Sequence, residues 1–212
     1  MNSTLSKVFF ASVVCLLQGL ITPPVQSALL YDNLGSLTAA SDPVFSFGPL
    51  YDSFSVGSGA FNLEDVKVKL SGDPAFGGSI EIGLFDDNAT TPGSQLLTVG
   101  TLSDTLLSST PADFDFPLLS PFVLDANTRY WLGITAGSDG TSAQWAWSLD
   151  QFALGVAGEF FANQSGVFDN INGPYQMQLS GTIPTSPIPE PSTLALLGAA
   201  AALAAARRRA PR

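Results

Sequence analysis

Apolar side chains recur at every second position through much of the middle of this 212-residue chain, in short runs divided by Gly, Pro, Asp and Asn. Val66, Val68 and Leu70 alternate with Lys67 and Lys69, and Ile80, Ile82 and Leu84 repeat the pattern beyond a turn sequence at 72–78. A period of two marks a strand with one face buried, so the two runs predict a hairpin. Leu29 to Leu34 predicts an opening strand. Phe45, Phe47 and Tyr51 to Val56 form a second apolar stretch around Gly48-Pro49. Asp86 to Gly93 reads as a turn-rich loop and Leu96 to Leu102 as the strand after it. Phe114 and Phe116 alternate with Asp113 and Asp115, and Phe122 to Leu124 adds a short strand. Tyr130, Leu132 and Ile134 share one face, as do Trp145 and Trp147, and Tyr175, Met177 and Leu179 close the series. With no convincing helix among them, these runs predict an all-β domain over residues 28–183. The expected form is a single β-sandwich, jelly-roll-like.

Both ends break the pattern. In 1–27, Lys7 precedes an apolar run from Val8 to Leu17, and Pro23-Pro24 stand before Val25-Gln26-Ser27. That is the order of a signal peptide cleaved after Ser27. At the other end, a Pro-rich linker (184–188) leads to a tail over 189–212. The tail holds Pro189-Glu190-Pro191, an uncharged run of Leu, Ala and Gly from Leu194 to Ala206, and Arg207-Arg208-Arg209. A helix over 194–206 is about 20 Å long, short against a hydrocarbon core of about 30 Å. It predicts a short C-terminal transmembrane helix, with the arginines as a membrane stop on the cytoplasmic side. The prolines keep the triplet extended and open to an enzyme. An extended motif, a brief apolar helix and a basic stop together describe a label that is read and then removed.

These residues resemble the PEP-CTERM sorting signal of Gram-negative bacteria. The resemblance implies a sorting motif of Pro189, Glu190 and Pro191 recognised by exosortase, a membrane transpeptidase. Signal peptidase and exosortase are then the processing partners. The precursor passes through the inner membrane, and the product reaches the cell surface or extracellular matrix. The middle of the chain also resembles the choice-of-anchor R domains, through Leu30 to Asn33, Ile82 to Asn88 with Pro92-Gly93, and Leu124 to Leu132. That likeness implies a β-rich surface domain and brings no catalytic residues with it.

Charge and composition narrow the chemistry. Between Ala28 and Pro189 only Lys67, Lys69 and Arg129 stand against seventeen acids, a net −14. Such a surface repels nucleic acid and anionic lipid. The chain has no histidine, and its single cysteine, Cys15, lies in the signal peptide. The mature domain therefore has no disulfide, no Ser-His-Asp triad, no cysteine nucleophile and no histidine-bearing zinc site. The expectation is a non-enzymatic protein without a cofactor; a glycosidase built on two of the carboxylates is the weaker catalytic alternative. Asp86, Asp87 and Asn88 offer oxygen ligands of the kind Ca²⁺ takes, without an EF-hand's spacing, and turn formation is their preferred role. Trp131, Trp145 and Trp147 are the candidate platform for extracellular polysaccharide, weighed against service in the core.

Overall fold

The alternating runs become strands of two antiparallel sheets in the computed structural model, which describes residues 27–46, 48–137 and 139–184. In chain order the strands are β1 (Ser27–Asp32), β2 (Thr38–Pro43), β3 (Leu50–Ser55), β4 (Phe61–Ser71), β5 (Ser79–Asp87) and β6 (Pro92–Ser103). They continue as β7 (Ala112–Leu124), β8 (Arg129–Ala136), β9 (Gln144–Ser148), β10 (Phe160–Asn163), β11 (Gly166–Asp169) and β12 (Met177–Thr182). Among the described residues, 3-10 turns stand at Asp104–Leu106 and Asn170–Asn172, and no helix is long and apolar enough to cross a membrane. The signal peptide expected over 1–27 (Ser27 apart), the end of the linker, and the tail with its helix at 194–206 lie outside the described residues, as does Phe47.

The first sheet runs β1-β12-β4-β9-β2, with β7 along the other edge of β4; the second runs β11-β10-β3-β8-β5-β6. All-antiparallel pairing in two layers makes the domain a β-sandwich. Its core lies between the sheets. Val66, Val68 and Leu70 of β4 and Met177 and Leu179 of β12 face Ile80, Ile82 and Leu84 of β5 and Leu132 and Ile134 of β8, all fully buried or nearly so. Each such side chain contributes about 1.5–3 kcal/mol by leaving water. The opposite face of β4 carries Lys67 and Lys69, which pair with Asp115 and Asp113 of β7 at 3.5 Å.

The expected hairpin between 66–70 and 80–84 does not form. β4 and β5 belong to different sheets, and residues 72–78 turn a corner between them. Both runs face one core from opposite sides, and each is flanked by other strands. Alternation reports which face is buried and is silent about the partner. The true hairpin is β5–β6, closed by paired backbone bonds between Asn88 and Thr91 at 2.8 and 3.2 Å. β7 joins the two runs expected at 114–116 and 122–124 into one strand, with a break in register opposite Leu63 and Asp65. β2, β10 and β11 are strands that alternation did not reveal.

Candidate functional site

Two of the three candidate tryptophans are core residues. Trp145 is 0% exposed, stacks on Tyr175 at 4.7 Å and 15°, and donates from Nε1 to the Gln176 carbonyl at 3.0 Å. Trp131 is also 0% exposed although it points to the outer face of the second sheet. Phe85 and Ala162, with Tyr51 and Phe160 beside them, cover it in a small second core. Its Nε1 donates to Asp87 Oδ1 at 2.8 Å. Neither ring offers a face to a ligand, so a platform of three tryptophans is not what the chain builds. The outer-face cluster depends on a missing side chain: a Cβ at Gly133 would stand 2.5 Å from Tyr51 ring carbons and 2.6 Å from Phe85. The Tyr51 and Phe85 rings meet edge-on over this position at 5.2 Å.

The calcium candidates lie in and beside the turn that joins β5 to β6. Asp86 accepts from the Ser94 backbone N–H. Asp87 accepts from Trp131 and, through Oδ2, from the Thr90 N–H at 3.3 Å. The Asn88 backbone closes the hairpin. No group of three or more His, Cys, Asp or Glu able to hold a metal occurs among the described residues.

The more unusual polar residues were not singled out from sequence. Asp52 alternates with Leu50 and Phe54 on the core side of β3 and is fully buried. Its Oδ1 accepts from Asn170 Nδ2 at 2.9 Å and its Oδ2 from the Tyr175 N–H at 2.6 Å. Burial pushes this carboxyl well above the usual range, nearby Glu159 adds to the rise, and the Asn170 and Tyr175 donors oppose it. Glu159 is itself buried, accepting from Ser53 Oγ at 2.5 Å and from Arg129 Nε at 2.9 Å. The Arg129 guanidinium also lies 4.9 Å above the Phe160 ring centroid. The signal for Asp52 was an acid placed in phase with Leu50 and Phe54.

A second acidic pair sits on the outer face of the first sheet. Asp65 lies 3.9 Å and Asp115 3.5 Å from Lys67 Nζ. Burial and then the hydrogen bond and charge of Asp115 push Asp65 up to about 6, while the same hydrogen bond holds Asp115 below its ordinary value. Asp65 also accepts from Ser180 Oγ at 3.4 Å.

Two grooves flank the β10–β11 hairpin, and Asn163 lines both. One, of about 240 Å³, is lined by Trp147, Phe161, Phe168, Asp42, Asn163 and Asn172 among others. The other, of about 310 Å³, includes Tyr51, Pro49, Pro92, Gln164 and Val167. Trp147 is the one candidate tryptophan left partly open. Its ring is held by Gly173: a Cβ there would stand 2.9 Å from Trp147 Cε3, and the backbone has φ of +131°. Phe168, 37% exposed, stacks on Phe161 at 5.3 Å and 26°. Asp52 and Glu159 line neither groove.

The end of the chain falls into a known class. Residues 187–209 match the PEP-CTERM protein-sorting motif. Such a signal marks an exported protein of the cell envelope that is processed by exosortase. No curated protein matches the chain. Among solved structures, a clostridial cysteine protease, Cwp84 after propeptide cleavage, superposes with a TM-score of 0.50 at 11% identity, over 77% of this chain and 42% of that one. At that identity the likeness concerns the fold alone, and this chain spans under half of that protein's length. The black queen cell virus structure (TM-score 0.25, 12% identity, 85% of this chain, 73% of that one) and an IBDV viral particle (0.18, 13%, 77%, 34%) are more distant.

Proposed function

We propose that this chain is a non-enzymatic surface or matrix protein of a Gram-negative envelope, delivered by removal of a label at each end. The observation that carries the reading is the sorting motif over residues 187–209. In this scheme signal peptidase cuts after Ser27, and exosortase reads Pro189, Glu190 and Pro191. The run 194–206 dwells briefly in the inner membrane, with Arg207 to Arg209 as the stop. The domain between is a sandwich of jelly-roll-like form, related in kind to the choice-of-anchor R domains. The non-enzymatic reading is supported by a mature domain without His or Cys. It is supported as well by the carboxylates Asp52 and Glu159, which serve the core instead of a cleft.

The test replaces Pro189, Glu190 and Pro191 by alanine in the producing cell. Export across the inner membrane continues, and unprocessed protein accumulates there, detected by fractionation and intact mass. Normal surface delivery of that variant, or mature surface protein that still ends in Arg207 to Arg209, overturns the reading.

A further inference from the structure

We infer that the groove between β2, β9 and the β10–β11 hairpin binds a neutral sugar ring within a polysaccharide. Carbohydrate presents two kinds of surface, apolar C–H faces and a rim of hydroxyl groups, and the groove supplies a partner for each. The apolar partners are Trp147, fixed in orientation by the close approach of Gly173, and Phe168, braced by Phe161. The polar partners are side chains whose other atoms are already tied down. Asp42 accepts from Tyr175 Oη at 2.7 Å through Oδ2 and keeps Oδ1 for a further donor. Asn172 donates to the Asp169 carbonyl at 3.3 Å and keeps its own side-chain oxygen. Asn163 is fixed by the Ser165 N–H at 2.9 Å. Preset rings and anchored acceptors are the usual means by which a site orients a small polar ligand at low entropic cost.

Size and charge specify the class. At about 240 Å³ the groove has room for one sugar ring. The neighbouring groove of about 310 Å³, joined through Asn163 and carrying Tyr51, offers room for an adjacent ring of the same polymer. A carboxylate at the rim and a strongly acidic domain disfavour uronates and other anionic sugars. This assignment stands on the domain alone and does not depend on how the tail is processed.

The test is affinity electrophoresis of the full-length chain, kept in a detergent without a sugar headgroup, through gels containing dextran, laminarin, galactomannan, arabinogalactan or alginate. At least one neutral polymer is expected to retard the protein. Phe168→Ala and Asn172→Ala, both at exposed positions, are each expected to weaken that retardation by about tenfold, with the thermal midpoint showing that each variant is folded. Phe168 and Asn172 are separate probes, so one misfolded variant leaves the other to decide. No retardation by any neutral polymer overturns the proposal. Retardation by alginate alone, or retardation undiminished in the folded variants, overturns it equally.

Discussion

Asp65 shows how one side chain sets a pH response. Its carboxyl is raised to about 6, whereas in the unfolded chain it titrates in the ordinary range near about 4. Between those values only the folded state holds the proton, so stability is full below the unfolded value and is lost as pH rises through 6. Asp115, held low, acts in the opposite sense and only at more acid pH. Asp65→Asn should therefore gain stability relative to the parent between pH 4 and pH 7, measured as the difference in urea midpoint at each pH. Asp104 gives a second prediction. It is fully buried and accepts from Thr141 Oγ1 at 2.6 Å, from the Ser142 N–H at 2.7 Å and from Ser142 Oγ at 3.1 Å. Asp104→Ala strands those donors and should cost about 3 kcal/mol in chemical denaturation. Residues of this kind were hard to read beforehand because their partners are distant in sequence. Asp52 meets Asn170 and Tyr175 across more than a hundred positions. Trp131 is buried by neighbours that a one-face alternation assigns to solvent.

At the scale of elements, alternation named the buried faces of β4, β5, β8 and β12 correctly and gave none of their neighbours. Hairpins are legible only where the turn is short and chemically marked, and the turn of β5–β6 is poorly marked. Its central residues, Ala89 and Thr90, both have positive φ, at 52° and 70°. A two-residue hairpin loop favours Asn-Gly at such positions, and β-branched threonine is costly there. Replacing Ala89-Thr90 by Asn-Gly should stabilise the protein by about 1–2 kcal/mol, read from thermal or urea midpoints. The opposite effect is expected on the outer face of the second sheet. Gly133→Ala drives a methyl group into the Tyr51 and Phe85 rings, costs about 1–3 kcal/mol, and exposes Trp131 enough to shift its fluorescence to the red. Both strands bearing the candidate groove's hairpin, β10 and β11, are four residues long. Runs of that length hold too few alternations to stand out, which is why Phe168 escaped notice while the tryptophans did not.

At the largest scale, the class of architecture of residues 28–183 followed from short alternating runs, the lack of a helical period among them and a core large enough without disulfides. The order of strands did not follow, because eight of the eleven connections pass from one sheet to the other. β12 lies between β1 and β4, with Ser27 opposite Thr182 at one end of its pairing and Asp32 opposite Gln178 at the other. A chain ending at Pro174 lacks an interior strand and should remain without fixed tertiary packing, seen as lost near-ultraviolet dichroism and rapid proteolysis.

That position of β12 also imposes a timetable. A polypeptide threaded through the membrane amino end first exposes β1 early and must wait for nearly the whole domain before its mate arrives. Until then β1 and β4 travel with open edges, the condition most prone to mispairing. The sandwich can shut only when residue 182 has crossed, so maturation of the fold and arrival of the segment that follows it become one event in time.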